Sequence, residues 1–146
     1  DNVILGNNVL LAGHVRVESD AIVSGGAAVN HFVTIGTLAM VGGMARVIQD
    51  IPPYMIAEGA PARARGVNVV GMKRREYSKE AIAELRDAFR RLIADESPTP
   101  VAIQEMESET NLLPDTRRLV AFLRDMDRGF QGRYRESLRR NLEEGL

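Results

Sequence analysis

The sequence predicts a β-solenoid followed by an α-helical domain, and three observations carry that prediction. From Val3 to Asp50 the chain divides into eight consecutive six-residue units: VILGNN, VLLAGH, VRVESD, AIVSGG, AAVNHF, VTIGTL, AMVGGM and ARVIQD. The third place is always aliphatic (Leu5, Leu11, Val17, Val23, Val29, Ile35, Val41, Val47), the first is always Val or Ala, and later places favour Gly, Asn, Ser, Asp and Glu. Neither a helical period of about 3.6 nor a strand period of about 2 holds such a register, so the pattern belongs to the hexapeptide-repeat solenoids. The third observation is charge. Only Asp1, Arg16, Glu18, Asp20, Arg46 and Asp50 are charged in the repeat region, whereas charge is dense from Lys73 onward. The expected partition is 1–53 β-helix coils, 54–75 a loop and short-strand connection, and 76–146 a helical domain.

Each hexad is expected to form one short strand and one corner of a triangular coil, so residues 18 apart stack. Leu5, Val23 and Val41 then share one inner face, Leu11, Val29 and Val47 the second, and Val17 and Ile35 the third. β-branched side chains pack well on such a pleated wall. At three hexads per coil the repeats make about 2.7 coils. The chain opens on Asp1-Asn2, already in phase with a closing pair such as Asn7-Asn8, which leads us to expect earlier coils upstream of Asp1. The same spacing puts Gly13 under His31, His14 under Phe32 and Asp50, and Ala12 under Asn30. Both histidines therefore fall at one corner. Two histidines without cysteine or a close carboxylate motif fall short of a usual zinc set. Gly25-Gly26 and Gly42-Gly43 have two readings: corner geometry, where glycine tolerates positive φ, or a groove in which a ligand approaches the backbone.

Asp50-Ile51-Pro52-Pro53-Tyr54 is expected to end the solenoid, because prolines supply no ladder donors. A loop-rich passage with a short apolar strand near Val67–Val70 follows, then the basic Lys73-Arg74-Arg75. Adjacent arginines suit a phosphate through bidentate hydrogen bonds, and also suit a solvated face. Ser78 is the expected N-cap of a helix to about Asp95 with Ile82, Leu85, Phe89, Leu92 and Ile93 on one stripe. Ser97-Pro98-Thr99-Pro100 stops it. A short helix is expected over 101–109 and another from Pro114, with Leu119, Phe122, Leu123 and Met126 inward, closing near Gly129. The tail 130–146 has helical propensity and many charges.

The bulk properties remove several function classes. Nineteen basic residues nearly balance twenty acidic ones, so no global field argues for nucleic acid or an anionic membrane. The chain has no cysteine, which excludes a disulfide framework and thiolate chemistry and suits a reducing cytoplasm. No secretory signal or stretch long enough to span a bilayer is present.

The stretches ILGNNVLLAGHV, VNHFVTIG and MVGGMARVIQDIPPYMIAEGAPARARGVNVVGMKRREYS, with the helix starting at Lys79, resemble the C-terminal part of the acyl-ACP–UDP-N-acetylglucosamine O-acyltransferase family, which opens lipid A biosynthesis. The resemblance is good from Val3 to about Ile93 and falls off after Glu96. The order of AGH, HF, QDIPPY, GVN and KRR-then-Ser is specific, whereas generic hexads are shared by many acyl- and acetyltransferases. The resemblance implies a left-handed β-helix and a cytoplasmic homotrimer with sites between subunits. It implies UDP-N-acetylglucosamine and an acyl-carrier protein bearing a 3-hydroxyacyl-phosphopantetheine as substrates, and no cofactor. Residue by residue, it makes the Gly13 N–H the oxyanion donor and His14 a histidine that contacts the substrates. Gly25, Met40 and Gly43 fall at the acyl-chain groove, Asn68, Arg74 and Arg75 at the nucleotide and its phosphates, and His31 at a substrate-contacting position held by Gln or His. Two departures stand out. The family's catalytic base lies in an HxxHD-like motif about one coil before AGH, so this chain is expected to lack it and to be inactive alone. Asn30 stands where the family commonly has His, and Asn does not titrate near neutral pH. The alternatives are another hexapeptide acyl- or acetyltransferase using coenzyme A, a non-catalytic trimeric scaffold, and, as a poor third, a zinc hydratase on the same coil.

Overall fold

The computed structural model describes residues 1–94, 99–130 and 132. Eight two-residue strands, β1 (Ile4–Leu5), β2 (Leu10–Leu11), β3 (Arg16–Val17), β4 (Ile22–Val23), β5 (Ala28–Val29), β6 (Thr34–Ile35), β7 (Met40–Val41) and β8 (Arg46–Val47), occupy the second and third places of the eight hexads. They pair in parallel at a strict offset of 18 residues: Ile4 beside Ile22 beside Met40, Leu10 beside Ala28 beside Arg46, and Arg16 beside Thr34. The three resulting faces, β1-β4-β7, β2-β5-β8 and β3-β6, enclose a core of first- and third-place side chains. Val23, Ile35 and Val41 are fully buried, whereas Leu5 and Leu11, on the end rung with nothing stacked beneath, remain 48% and 40% exposed.

The corners explain the six-residue period. The sixth-place residues Asn2, Asn8, His14, Asp20, Gly26, Phe32, Leu38 and Met44 all have φ between 55° and 71°. The first-place N–H then donates back to the fourth-place carbonyl, as in Ala21 to Glu18 and Ala39 to Gly36. A left-handed residue at the third position gives every corner the form of a type II turn, and the closing bond is present at the corners before Ala21, Ala27, Val33, Ala39 and Ala45. Ladder bonds between coils use the second-, fourth- and sixth-place N–H, for example Ile22 to the Ala39 carbonyl, Ala12 to the Val29 carbonyl and Phe32 to the Gly13 carbonyl. The fifth-place N–H takes no backbone partner among the described residues.

The stretch after Asp50 differs from expectation. Ile51 still bridges in parallel to Ile35, and a further strand, β9 (Met55–Gly59), joins β7 with Met40 beside Ile56, so the coil continues past the prolines with its offset shortened to 16. Pro52 and Pro53 form the corner itself, followed by Tyr54 at φ 67°. Proline suits the second position of a type II turn, and at this last corner no further coil needs their N–H groups. β9 then turns back into β10 (Ala62–Val67), an antiparallel hairpin where mostly loop was expected. The expected apolar strand near its end is instead helix α1 (Val69–Arg74), because Asn68 caps it by accepting the Gly71 N–H at 3.0 Å.

Helix α2 (Lys79–Leu92) starts from the Ser78 cap, whose Oγ accepts the Ala81 N–H at 3.1 Å. Asp95, its expected last residue, lies outside the described residues, as does the expected tail beyond Gly132. Helix α3 (Pro100–Glu107) is capped by Thr99, and α4 (Pro114–Asp127) begins on Pro114. Ile82, Leu85, Leu92, Ile103, Met106, Leu119, Val120 and Leu123 form a second core that also takes in Leu38, Tyr54, Met55 and Met72. The helices are thus seated on the end of the coil. Tyr54, with no exposed surface, donates its hydroxyl to Asp115 Oδ1 at 2.7 Å. Burial first, and then the Asp115 carboxylate, push this phenol far above its ordinary range, so the proton stays on Tyr54 and the bond holds at any physiological pH.

Candidate functional site

The candidate residues occupy three different corners of the prism. The first corner, after β1, β4 and β7, stacks Asn7, Gly25 and Gly43. The second, after β2, β5 and β8, stacks Gly13, His31 and Gln49. The third, after β3 and β6, stacks Ser19 and Thr37.

At the second corner the fifth-place amide left out of the ladder is that of Gly13, and it donates to His31 Nδ1 at 3.1 Å. His14 follows in the left-handed position, and its ring stacks on Phe32 with centroids 4.8 Å apart and planes 11° from parallel. Above them lies Asp50, nearly buried, whose Oδ1 accepts the Thr34 N–H at 2.6 Å. In a regular rung that N–H meets the first-place carbonyl of the next coil, as Ile22 meets Ala39. The shortened coil moves that carbonyl away, and the Asp50 carboxylate takes its place. Gly13, His14, Asn30 and His31 are exposed on this corner, so the predicted grouping of both histidines with the AGH glycine is present. An open groove of about 390 Å³ runs from Asn30 and Ile48 across the outer face past Leu10, Ala28 and Arg46.

At the third corner a carboxylate holds the corresponding amide. Glu18 Oε2 accepts both the Thr37 N–H at 2.8 Å and the Thr37 hydroxyl at 2.9 Å, and Arg118 of α4 reaches Thr37 Oγ1 at 3.3 Å. Arg118 thus brings α4 over Thr37, which is 9% exposed, while an open cleft remains between α4 and the coil beside Ser19; Gly13 and His31 at the second corner are exposed.

Along the first face, Met40 lies beside Ile22 and Ile56, with Ile4 on the end rung; these second-place side chains make an apolar outer stripe. The two glycines beside it differ. A Cβ on Gly25 would stand 3.1 Å from the Asn7 carbonyl, so chain geometry alone accounts for that glycine, whereas a Cβ on Gly43 would meet its nearest atom at 3.5 Å, an ordinary contact. Among the described residues nothing requires glycine at 43, which favours the groove reading there.

The basic residues lie on α1 and its C-cap. Arg75 Nη2 sits 2.9 Å from Asp20 Oδ1 at the third corner, while Arg74 is exposed in the last helical turn. Asn68 is 3% exposed and engaged at both ends: Nδ2 donates to the Leu38 carbonyl at 2.9 Å and Oδ1 caps α1. A Cβ at Gly71 would collide with its carboxamide. Asn68 therefore fixes where Arg74 and Arg75 stand instead of facing solvent. Sequence spacing foretold the Gly13–His31 contact; the Arg75–Asp20 pair, 55 residues apart in sequence, had no local signal. Among the described residues no group of three or more His, Cys, Asp or Glu could hold a metal ion. No helix among them is long and apolar enough to cross a membrane.

A triangular parallel β-helix of six-residue rungs, with spare corner amides beside histidines and a helical domain seated on its end, defines a hexapeptide-repeat transferase. Residues 50–131 match the family model described as UDP-N-acetylglucosamine O-acyltransferase, domain 2. The chain is 44% identical over 111 residues to an acyl-carrier-protein–UDP-N-acetylglucosamine O-acyltransferase of Gloeothece citriformis, covering 76% of this chain and 40% of that protein. It is 36% identical over 129 residues to the enzyme of the same name from Aliivibrio fischeri, covering 88% and 49%. The UDP-N-acetylglucosamine acyltransferase of Arabidopsis superposes with a TM-score of 0.79 at 33% identity over 86% of this chain and 46% of that one. The enzyme of Bacteroides fragilis gives 0.80 at 31% identity over 86% and 49%. The chain belongs to the acyl-ACP–UDP-N-acetylglucosamine O-acyltransferase family, with its left-handed parallel β-helix. It spans about half the length, or less, of the curated relatives it matches.

Proposed function

We propose that the chain forms part of an enzyme that transfers a 3-hydroxyacyl group from acyl-carrier protein to the 3-hydroxyl of UDP-N-acetylglucosamine, the first step of lipid A biosynthesis in the cytoplasm. The observation that carries this reading is the open second corner, where a backbone N–H outside the ladder lies between two histidines on a chain of this family. In the reaction a base takes the sugar hydroxyl proton, the oxygen attacks the thioester carbon while the carbonyl oxygen gains charge, and collapse of that intermediate breaks the C–S bond and releases the carrier-protein thiol, which takes the proton. The Gly13 N–H would hold that oxyanion and His14 would contact the substrates. The apolar stripe of Ile22, Met40 and Ile56 beside Gly25 and Gly43 would take the acyl chain, and Arg74 and Arg75 the diphosphate, with Asn68 acting through α1.

One copy keeps these groups on three separate corners. A site that uses them together needs more than one copy, which supports a homotrimer with clefts between subunits. In the complete protein, Arg74→Ala is expected to weaken UDP-N-acetylglucosamine binding at least about tenfold, because a bidentate charge-assisted phosphate contact is worth roughly 1.5–3 kcal/mol. Lysine should restore only part of it. Calorimetric titration measures this; unchanged affinity would remove the nucleotide from the reading and favour a coenzyme A-dependent transferase.

A further inference from the structure

Arg74 and Arg75 are neighbours at the end of α1 with different surroundings. Arg74 is exposed and takes no side-chain partner among the described residues. Arg75 turns back to the third corner, where its Nη2 lies 2.9 Å from Asp20 Oδ1. That contact is one of charge more than of hydrogen bonding. Oδ1 is buried and receives no aligned hydrogen bond among the described residues, so the Nη2 group stands close to it but out of line. A guanidinium held for orientation grips its carboxylate through two parallel N–H···O bonds. A partly exposed pair without them contributes little and opens readily, and these two side chains are 37% and 24% exposed. The carboxylate has a second effect. It neutralises Arg75 and sets a negative charge where an approaching phosphate oxygen would stand, so in this position Arg75 attracts an anion only weakly.

We propose that Asp20 is a competitor, built into the chain, for the Arg75 guanidinium. Arg75 rests on Asp20 while the nucleotide site is empty and leaves it for the diphosphate when a nucleotide binds at Arg74. This inference rests on the reading of Arg74 and Arg75 as the diphosphate-binding residues, and it adds an exchange in which one ion pair opens as another forms. The direction of the exchange follows from geometry: phosphate oxygens can accept from the guanidinium fork in a bidentate manner, which the Asp20 contact does not. Asp20 can also be replaced without disturbing the corner. It is a sixth-place residue at φ 64°, and the same place holds Asn2 at 55°, Asn8 at 59° and Gly26 at 71°. Asparagine and glycine adopt this conformation readily. The Asp20 N–H bonds the Asp1 carbonyl whatever the side chain.

The test is a thermodynamic cycle on the complete protein. Calorimetric titration gives the Kd for UDP-N-acetylglucosamine in the wild type, Asp20→Asn, Arg75→Gln and the double variant. Asp20→Asn should bind about two- to fivefold tighter, the size of a partly exposed ion pair that no longer has to open, and Asp20→Gly should do the same. Arg75→Gln should bind more weakly, and adding Asp20→Asn to it should change nothing further. Both Asp20 variants should melt within a few degrees of the wild type. Weaker binding in both would make Asp20 a positioning residue for Arg75 and overturn the competition; unchanged binding would overturn it as well. A gain that persists in the Arg75→Gln background would be a general effect of charge and would overturn it too. In each of these cases, loss of affinity in Arg74→Ala leaves the nucleotide reading standing. Absence of UDP-N-acetylglucosamine binding by the wild type would sink both.

Discussion

Gly13→Pro in the complete enzyme should lower kcat for acyl transfer by about 10²–10³, the usual effect of deleting one oxyanion donor, with little change in KM for the nucleotide sugar. The substitution is unusually clean. It removes a single N–H whose partner among the described residues is His31 Nδ1, while the bonds that carry the coil past this corner use the Ala12 and Phe32 N–H and the Gly13 carbonyl. Proline is favoured at the second position of a type II turn. The molecule itself places Pro53 at the equivalent position of the third corner, before the left-handed Tyr54. A Cβ at this position would meet the His31 ring and no backbone atom within 4 Å. The variant should therefore keep the wild-type melting temperature within a few degrees. Gly13→Ala, which retains the N–H, should keep far more of the activity. Normal kcat in a folded Gly13→Pro enzyme would remove Gly13 from the chemistry.

Ile35→Ala should destabilise the chain by about 2–5 kcal/mol, the range for truncating a large buried aliphatic. Ile35 has no exposed surface, pairs with Val17 on one side and bridges to Ile51 on the other, and so packs between two rungs that cannot collapse independently. The same class of substitution at Leu11, a third-place residue that is 40% exposed on the end rung, should cost about 1 kcal/mol or less. Denaturant unfolding of the two variants side by side checks the contrast. Equal losses would mean that the register, and with it the stacking behind the candidate site, is wrong.

The coil was legible because its period has a simple cause. A two-residue strand and a four-residue type II corner add to six, so the aliphatic third place and the 18-residue stacking could be read directly, and with them the meeting of Gly13 with His31 and of His14 with Phe32. The residues after Asp50 were not legible in this way. Two prolines imply lost ladder donors, and only the structure shows that they stand at a corner where those donors are not needed. The shortened offset of 16 erased the repeat from the sequence while β9 kept it in space. Asn68 looked like a ligand-facing residue of a GVN motif; its burial follows from α1, which the run Val67–Val70 disguised as a strand. The separation of the candidate residues onto three corners was implicit in the hexad numbering but gained meaning only once the structure showed Arg118 of α4 engaging Thr37 at the third corner while Gly13 and His31 stay exposed at the second.

The most direct test of the account is acyl transfer by the complete polypeptide that contains this chain, with UDP-N-acetylglucosamine as acceptor and either a 3-hydroxyacyl-acyl-carrier protein or a coenzyme A thioester as donor. The account predicts an ester on the sugar 3-hydroxyl formed from the carrier-protein donor. No ester, or one formed only from coenzyme A, would contradict it.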